Sequence, residues 1–448
     1  MTTLPTENGS SNEPTQNKVK ESVIRMFSRL AHEHGAVNLS QGFPNEAPPL
    51  RLKLAMAYAV LTGQPVEGDP ATIDEKLLLK SLSDLLSSAS ASVEEEQDPT
   101  DDIFGDTADV LNQYSPPMGR PDLRQAIAEY YDRFYEYKNV SSEDITITLG
   151  ATEAFASALR TVGKPNDKCV IFEPFHELYP NQCKLFYLEP VFVTLWQRDT
   201  CWKYDEQELE EAMKDASILV LNSPHNPTGK VFTRDELTFI VGLCQKYDVY
   251  LITDEIYEHM CFDNHQHFLI PKEFPEMKDR TLVCNSLGKS ASATGWRLGW
   301  CLHPPHLTNT YRGIHDQLAV MSPHPVQYAT LSYLRLPNEY FDNLASKYQK
   351  RVRKLAHALV CAGFTVLFPE GAYYLLVDYT SVPWLVGMSS MKAAMRLMEL
   401  GIGCVPGDTF FGKKLVETSN KYLRFAACRS DQDLDEAIEL LEKLSSNN

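Results

Sequence analysis

Lys289 is the residue of this sequence whose type and surroundings point most directly to chemistry. It follows the apolar run from Thr281 to Cys284, which is typical of a buried strand. Ser286 lies three residues before the lysine and Arg297 eight residues after it. A lysine amine can form a Schiff base with an aldehyde, and a hydroxyl beside a guanidinium can bind a phosphate. The segment therefore predicts a site for a phosphorylated aldehyde.

Two upstream motifs extend this prediction, because each follows an apolar run that reads as a strand. They are Asn226-Pro-Thr-Gly229 and Asp254-Glu-Ile-Tyr257. A buried carboxylate can pair with a pyridine nitrogen and keep it protonated, so that the ring accepts electrons from a carbanion. Together with Lys289, these residues are what an enzyme needs to hold pyridoxal 5'-phosphate (PLP) covalently.

The chain resembles the fold-type I PLP enzymes of the class I/II aminotransferase family. The branch it is most similar to contains kynurenine aminotransferases, glutamine transaminase K and cysteine-conjugate β-lyases. The resemblance runs from about Val23 to the C-terminus, apart from one insertion, and it rests on the order and spacing of the motifs around Asn226, Asp254 and Lys289.

The resemblance implies a role for each residue that faces the cofactor ring. Lys289 would form the Schiff base and then move a proton between the substrate and the cofactor. Asp254 would meet the pyridine nitrogen. Asn226 and Tyr257 would hydrogen-bond the phenolic oxygen, and Asn226 would be joined to Pro227 by a cis peptide bond.

The phosphate of the cofactor requires several donors. Gly150, Ala151 and Thr152 follow a strand-like run and open a helix, so their backbone N–H groups form an anion site to which Ser286 and Arg297 add. In the family a tyrosine of the neighbouring subunit also reaches this phosphate. Its counterpart here is Tyr114, which implies a homodimer with shared active sites.

The substrate is expected to bind through its α-carboxylate. Arg424, in the segment Tyr422-Leu-Arg-Phe425, corresponds to the arginine that pairs bidentately with that group in the family. The backbone near Gly42 and the side chain of Asn226 are expected to complete the substrate site.

Two positions depart from the family pattern. His176 stands where the family has an aromatic ring stacked on the cofactor, and an imidazole there can stack or exchange protons. Met321 stands where human-type kynurenine aminotransferases carry a histidine that lines the side-chain pocket from the other subunit. A thioether makes the side-chain pocket more apolar, which favours methionine-like, aromatic or other neutral amino acids over kynurenine itself.

Composition narrows the class of protein. The net charge of −18 disfavours binding to nucleic acid or to an anionic membrane, and no apolar run approaches a membrane span. Ten scattered cysteines without a Cys-x-x-Cys pair are typical of a reduced, cytoplasmic protein. No metal site is expected, because His265 and His267 have no accompanying cluster of ligands and read as structural.

Strand-like runs alternate with amphipathic stretches from Ile145 onward, and this pattern predicts an α/β fold with a mainly parallel sheet between helices. The family resemblance implies seven strands in that sheet and a smaller α+β domain. The expected organisation is a disordered tail (1–17), an N-terminal segment packing with the small domain (18–50), a large PLP-binding domain (51–336) and a C-terminal small domain (337–448).

An insertion occupies about residues 63–110. Its first half, 73–86, is rich in leucine and predicts a short helix, and its second half is acidic. The segment from residue 67 to residue 106 contains twelve acidic residues and only two lysines. A solvated acidic loop is the expected structure, with a gating role as the alternative.

The sequence therefore predicts a cytoplasmic, homodimeric PLP-dependent aminotransferase. It would transfer the amino group of a neutral L-amino acid, aromatic, kynurenine-like or sulfur-containing, to a 2-oxo acid. A PLP-dependent C–S β-lyase or another elimination or cyclase enzyme is the alternative, since the same carbanion serves both fates. A binding protein on an inactive scaffold is disfavoured by the intact Lys289, Asp254 and Arg424.

Overall fold

The computed structural model describes residues 21–65, 75–94, 109–138, 140–412 and 415–446. The predicted tail, residues 1–17, and most of the acidic half of the insertion lie outside these residues. Among the helices of the described part of the chain, none has the length and the apolar character that crossing a membrane requires.

Helices and strands alternate along most of the chain. The α-helices are, in chain order, α1 (Val23–Glu33), α2 (Leu50–Thr62), α3 (Glu75–Glu94), α4 (Pro121–Tyr135), α5 (Ala151–Val162), α6 (Leu178–Leu185), α7 (Glu206–Met213), α8 (Arg234–Lys246), α9 (Ile270–Glu273), α10 (Thr308–Ala319), α11 (His324–Leu334), α12 (Asn338–Cys361), α13 (Ser390–Glu399), α14 (Val416–Ser419) and α15 (Asp431–Ser446). The strands are β1 (Val37–Asn38), β2 (Ile145–Thr148), β3 (Lys168–Glu173), β4 (Glu189–Thr194), β5 (Trp196–Arg198), β6 (Cys201–Lys203), β7 (Ala216–Asn222), β8 (Tyr250–Asp254), β9 (Thr281–Ser286), β10 (Gly299–Leu302), β11 (Thr365–Val366), β12 (Tyr374–Asp378), β13 (Ile402–Gly403), β14 (Val405–Pro406) and β15 (Tyr422–Ala426).

A seven-stranded sheet forms the centre of the fold, in the order β2-β10-β9-β8-β7-β3-β4. Strand β10 is antiparallel to both of its neighbours, and every other adjacent pair is parallel. The structure confirms the predicted α/β class and the mainly parallel seven-stranded sheet.

Both faces of this sheet are buried under helices, which explains why its strands are apolar at consecutive positions. In β7, Ile218 and Val220 pack into one core, which also contains residues of α5 and α6. Leu219 and Leu221 of the same strand pack into a second core, with residues of α7 and α8. Because side chains alternate across a strand, a continuous apolar run serves both cores.

The carboxyl ends of three neighbouring parallel strands meet at one edge of the sheet. Asn222, the last residue of β7, pairs in register with Asp254, the last residue of β8, and Asp254 pairs with Cys284 of β9. Strand β9 ends two residues later at Ser286. The strand ends therefore bring the sequence motifs of β7, β8 and β9 to one place, where α/β proteins bind their ligands.

A second sheet is formed by strands in the order β11-β12-β15-β14, all antiparallel. The N-terminal segment joins this part of the molecule, because Val37 of β1 pairs with Ile402 of β13 and the N–H of Ala426 donates to the carbonyl oxygen of Leu39. The domain boundaries near residues 50 and 337 stay a prediction.

The first half of the insertion is helical, as predicted, but the helix extends beyond the expected end at residue 86. Helix α3 covers Glu75–Glu94. Its buried leucines, Leu78 and Leu82, pack with Leu54 and Ala55 of α2. Trp296, the residue before Arg297, also packs against this cluster. The start of the insertion is therefore anchored to the body of the molecule rather than solvated on all sides.

We expect the replacement Leu78→Ala to lower the free energy of unfolding by about 2–4 kcal/mol, because it leaves a cavity under α3. The matched control is Leu77→Ala, since Leu77 is 47% exposed whereas Leu78 is 2% exposed. The control should change stability by no more than about 0.5 kcal/mol. Chemical denaturation of both variants measures the difference, and equal losses would show that α3 is not packed as described.

Candidate active site

A cavity of about 140 Å³ opens at the carboxyl ends of β7, β8 and β9. Residues from several segments of the chain form its wall. They are Ala151, Thr152, His176, Leu178, Tyr179, Asn222, Asn226, Asp254, Ile256, Tyr257, Ser286, Gly288, Lys289, Ala293, Thr294, Arg297 and Leu298. The predicted residues of three motifs therefore share one cavity.

Lys289 lies in the turn that follows β9, and its Nζ donates to the carbonyl oxygen of Gly42 at 2.6 Å. Burial lowers the pKa of Lys289 to about 8, and the positive charges of Arg424 and Arg297 act in the same direction. More of the amine is therefore unprotonated near neutral pH than in an ordinary lysine, and nucleophilic attack on an aldehyde requires the unprotonated form.

Asp254 is held in the cavity by neighbours on both sides. Its Oδ2 accepts from the hydroxyl of Tyr179 at 2.8 Å, and the side-chain amide of Asn222 donates to its backbone carbonyl oxygen at 2.8 Å. Burial raises the pKa of Asp254 to about 6, although the hydrogen bond from Tyr179 opposes this shift. A cationic ring nitrogen placed beside this carboxylate would keep it ionised.

The opposite end of the cavity is suited to an anion. Helix α5 begins at Ala151 without a side-chain cap, so the N–H groups of its first turn face the cavity end of the sheet. A Cβ at Gly150 would lie only 2.5 Å from Nη2 of Arg297, which shows how closely the guanidinium approaches this turn. Ser286 lines the same cavity. The helix terminus, the hydroxyl and the guanidinium together are suited to bind a phosphate.

Arg424 is almost fully buried and approaches the site from β15 of the second sheet. Its Nη1 donates to Oδ1 of Asn226 at 3.2 Å, and its Nη2 donates to the carbonyl oxygen of Ser40 at 2.8 Å. The rings of Tyr374 and Phe410 lie 4.6 and 4.9 Å from the guanidinium carbon. The Nε atom is buried without a hydrogen-bond partner in the described structure. A rigid, buried guanidinium with an unused donor is suited to a carboxylate.

These observations fit PLP. The cavity has a phosphate site at Gly150, Ser286 and Arg297, an amine at Lys289, and a carboxylate at Asp254 for the ring nitrogen. Asn226 and Tyr257 line the wall between them, and the Asn226–Pro227 peptide is cis, as predicted.

His176 also lines the cavity. Its Nδ1 accepts from the N–H of Leu178 at 3.3 Å. Burial, together with the nearby positive charges of Arg424 and Lys289, lowers the pKa of His176 to about 3. An imidazole that stays neutral at physiological pH supports the stacking interpretation over the exchange of protons.

Four predicted residues lie outside the cavity wall. Three of them contact a residue of the wall. Gly150 lies against Arg297, the carbonyl oxygen of Gly42 accepts from Lys289, and Arg424 donates to Asn226. Tyr114 is different, because it is absent from the wall formed by the described residues and is 80% exposed. The role of Tyr114 stays a prediction.

The sequence reasoning did not assign two residues that hold Asp254. Tyr179 donates to the Asp254 carboxylate, and Asn222 binds its backbone while accepting from the N–H of Asn226 at 2.8 Å. Tyr179 stands three residues after His176, and Asn222 ends a strand beside Asp254. Their positions at strand and helix termini were the signal that could have found them.

The expectation that His267 has no accompanying ligands is wrong, because Glu255, Glu258 and His267 form a buried cluster whose ligand atoms lie close enough for a metal ion. Protein groups already bind most of these side-chain atoms, although Nδ1 of His267 is buried without a hydrogen-bond partner in the described structure. Nε2 of His267 lies 3.0 Å from Glu255, and Glu258 accepts from the side-chain amide of Asn285 at 2.6 Å and from the hydroxyl of Tyr130. Burial alone would lower the pKa of His267, but the charge of Glu255 and its hydrogen bond outweigh burial, so the net shift of the pKa is upward. We interpret the cluster as a structural ion pair.

Comparison with known proteins gives a consistent assignment. Residues 86–441 match the family described as aminotransferase class I and II. The chain is 30% identical over 363 residues to kynurenine–oxoglutarate transaminase 3 of Rattus norvegicus, covering 75% of this chain and 79% of the relative.

Solved structures agree with this match. N-succinyldiaminopimelate aminotransferase from Mycobacterium tuberculosis superposes with a TM-score of 0.81 at 28% identity, covering 97% of this chain and 100% of the other. YbdL of Escherichia coli, a protein with a methionine aminotransferase function, gives a TM-score of 0.80 at 25% identity with the same coverage.

The low pKa of His176 generates a prediction about stability. The unfolded state takes up a proton on this histidine below about pH 6.5, whereas the folded state does so only near pH 3. Stability is therefore lost as the pH falls from 6.5 towards 3, by up to about 1.4 kcal/mol per pH unit for this one group. We expect His176→Phe to make the urea-unfolding midpoint of the cofactor-free protein less sensitive to pH in this window.

The matched control is His306→Phe, which removes an exposed imidazole. Its midpoint should follow the wild-type dependence on pH. Parallel curves for His176→Phe and the wild type would contradict the burial of a neutral His176.

Proposed function

The chain belongs to the aminotransferase class I and II family, and we propose that it transfers the amino group of a neutral L-amino acid to a 2-oxo acid through Lys289. As a member of this family it is a PLP-dependent aminotransferase. The observation that carries the assignment of Lys289 is its position in one cavity with Asp254 and the phosphate site at Arg297. The neutral donor, aromatic, kynurenine-like or sulfur-containing, is the part that remains to be tested.

PLP, when bound, supplies an aldehyde for covalent attachment of the amino acid and a ring that accepts electrons from its α-carbon. The residues of this chain position the substrate and the cofactor and transfer protons between them. Lys289, with a pKa near 8, is suited to take a proton from the α-carbon and to return it at a neighbouring atom. Asp254 would keep the ring nitrogen of bound PLP protonated. Tyr179 donates to the Asp254 carboxylate, and Asn222 donates to the backbone carbonyl oxygen of the same residue.

Arg424 is proposed to bind the α-carboxylate of the substrate. Asn226 and Ser40 hold two of its nitrogens, and the rings of Tyr374 and Phe410 restrict the guanidinium plane. A fixed guanidinium orients the substrate so that its α-carbon faces Lys289, and this converts binding energy into alignment for proton transfer.

The charges of the cavity support a neutral side chain on the amino donor. Lys289 and Arg297 are the cations in the wall that the described residues form, and both already have a proposed role. Leu178, Ile256 and Leu298 contribute apolar surface. The names of the rat kynurenine transaminase and of the methionine aminotransferase that resemble this chain fit aromatic and sulfur-containing donors.

We also propose a cytoplasmic homodimer. Tyr114 is exposed, and the N–H of the next residue, Ser115, donates to Sδ of Met321 at 3.1 Å, so the two residues that the family resemblance assigns to the neighbouring subunit's site lie close together. All ten cysteines are free thiols, which supports a reducing compartment.

A half-reaction screen tests the proposed function. The purified PLP form is mixed with single amino acids in the absence of an oxo acid, and the visible spectrum is followed. Loss of the cofactor band with a neutral aromatic or sulfur-containing donor is the expected result, because the amino group passes to the cofactor. A band that persists while ammonia and an oxo acid accumulate would identify a β-lyase instead.

Borohydride reduction followed by peptide mapping locates the covalent bond in the same preparation. The label is expected on Lys289, and Lys289→Ala should carry none. Label on another lysine would contradict the assigned role while leaving the aminotransferase activity itself standing.

Subunit mixing tests the shared site. Lys289→Ala and Tyr114→Ala should each lose most activity, since one removes the amine and the other a phosphate donor. A mixed dimer has one site with both replacements and one with neither, so equal mixing should restore about a quarter of the wild-type activity. Tyr187→Ala, at another exposed tyrosine, is the control and should stay fully active. No regain on mixing would contradict the proposed contribution of Tyr114.

A further inference from the structure

Tyr374 contacts three parts of the site without lining the cavity described above. It is the first residue of β12 and is almost fully buried. Its hydroxyl lies 2.9 Å from the hydroxyl of Tyr257 and 3.3 Å from the carbonyl oxygen of Gly42. Tyr374 therefore joins the second sheet to the loop near Gly42 and to a residue of the cofactor site.

The ring of Tyr374 has a separate contact. The guanidinium carbon of Arg424 lies 4.6 Å from the ring centroid, within the range of a cation–π interaction. Strands β12 and β15 are antiparallel neighbours in which Tyr374 pairs with Ala426 and Leu376 pairs with Arg424. Tyr374 and Arg424 are thus diagonal neighbours on the sheet, where aromatic and long side chains reach one another.

Three hydrogen-bond donors approach the carbonyl oxygen of Gly42. Nζ of Lys289 approaches it at 2.6 Å, the hydroxyl of Tyr373 at 3.2 Å and that of Tyr374 at 3.3 Å. A carbonyl oxygen offers two lone pairs, so three donors compete for two acceptor positions. The donor at the longest distance, Tyr374, has a second acceptor available in the oxygen of Tyr257.

The direction of that hydrogen bond decides what Tyr257 does. When the Tyr374 hydroxyl donates to the oxygen of Tyr257, the proton of Tyr257 is released from this contact and can point into the cavity whose wall Tyr257 forms. When the Tyr257 hydroxyl donates to the oxygen of Tyr374 instead, its proton cannot point into the cavity. The first arrangement is favoured because the hydroxyl of Tyr374 lies closer to the oxygen of Tyr257, at 2.9 Å, than to the carbonyl oxygen of Gly42, at 3.3 Å.

We propose that Tyr374 is a positioning residue that directs the Tyr257 hydroxyl towards the bound cofactor and, through its ring, holds the substrate-binding Arg424. The inference rests on the proposed function, because it assigns to Tyr257 a hydrogen bond with the cofactor oxygen. It adds a link between the cofactor and the carboxylate site, carried by one side chain with two separable contacts.

The hydroxyl of Tyr374 is protonated near neutral pH. Burial raises the pKa of Tyr374 to about 12, although the charge of Arg424 opposes the shift. Burial likewise places the pKa of Tyr257 well above its ordinary value. Each hydroxyl therefore has one proton to donate, and the order of donors and acceptors is set by geometry.

The replacement Tyr374→Phe removes the hydroxyl and keeps the ring over Arg424. We expect the midpoint of the visible pH titration of the bound cofactor to move upward by about one pH unit. A weaker hydrogen bond from Tyr257 gives less stabilisation to the more negative, deprotonated state of the cofactor. The KM for the amino donor should change by less than about twofold, while kcat should fall by roughly threefold to tenfold.

A double replacement separates a positioning role from a general structural one. In a Tyr257→Phe background, Tyr374→Phe should cause no further shift of the titration midpoint, because the group on which it acts is gone. Tyr374→Leu should in addition raise KM by about tenfold, since it also removes the ring from Arg424.

Tyr348→Phe is the control, because it deletes the hydroxyl of another buried tyrosine, one that packs on Tyr373. It should leave the midpoint unchanged. An unchanged midpoint in Tyr374→Phe, or a shift that persists in the Tyr257→Phe background, would overturn the inference and leave the proposed function intact. A wild-type enzyme that shows no visible cofactor band, and whose Lys289 is not labelled by borohydride reduction, would overturn the proposed function. This inference would then fall with it.

Discussion

The structure depends on keeping three basic side chains close together around one cavity, and of these Arg424 is buried, Lys289 half-buried and Arg297 exposed. Lys289, Arg297 and Arg424 converge on one cavity, and Asp254 is the acidic side chain in the wall that the described residues form. Such an excess of positive charge is unfavourable by itself, and burial and the neighbouring arginines lower the pKa of Lys289 accordingly. The excess suits ligands that bring a phosphate and a carboxylate. The same electrostatic cost therefore explains the reactive lysine and the attraction for anionic ligands.

Holding these charges requires segments that are distant in the sequence. The large sheet supplies Asp254 and the segment of Lys289, and the second sheet supplies Arg424. The loop around Ser40 and Gly42 connects them, because its carbonyl oxygens accept from Arg424 and from Lys289. Backbone carbonyl groups can accept from these cations without adding a full negative charge. The loop thus stabilises the site while leaving its net charge available to ligands.

Residues on the large sheet were predictable because strand ends bring them together. An apolar run followed by Asp254, and another followed by Ser286 and Lys289, define both the strand and the side chain at its carboxyl end. Arg424 required the family resemblance, since nothing in the segment Tyr422-Leu-Arg-Phe425 shows which sheet it joins. Tyr374 was not predicted for a different reason. Its role depends on a diagonal neighbour in a strand nearly fifty residues away and on a loop more than three hundred residues earlier.

Gly42 shows why such contacts escape a reading of the sequence. A Cβ at this position would lie 2.0 Å from the hydroxyl of Tyr374, so any larger residue would displace the ring or the loop. Displacing the loop would move the carbonyl oxygen that accepts from Lys289, and displacing the ring would remove the contact with Arg424. The glycine is needed for close approach rather than for backbone conformation, because its φ angle lies outside the left-handed region. A glycine in a polar loop usually indicates a turn, and only the packed structure reveals that this one makes room for a tyrosine.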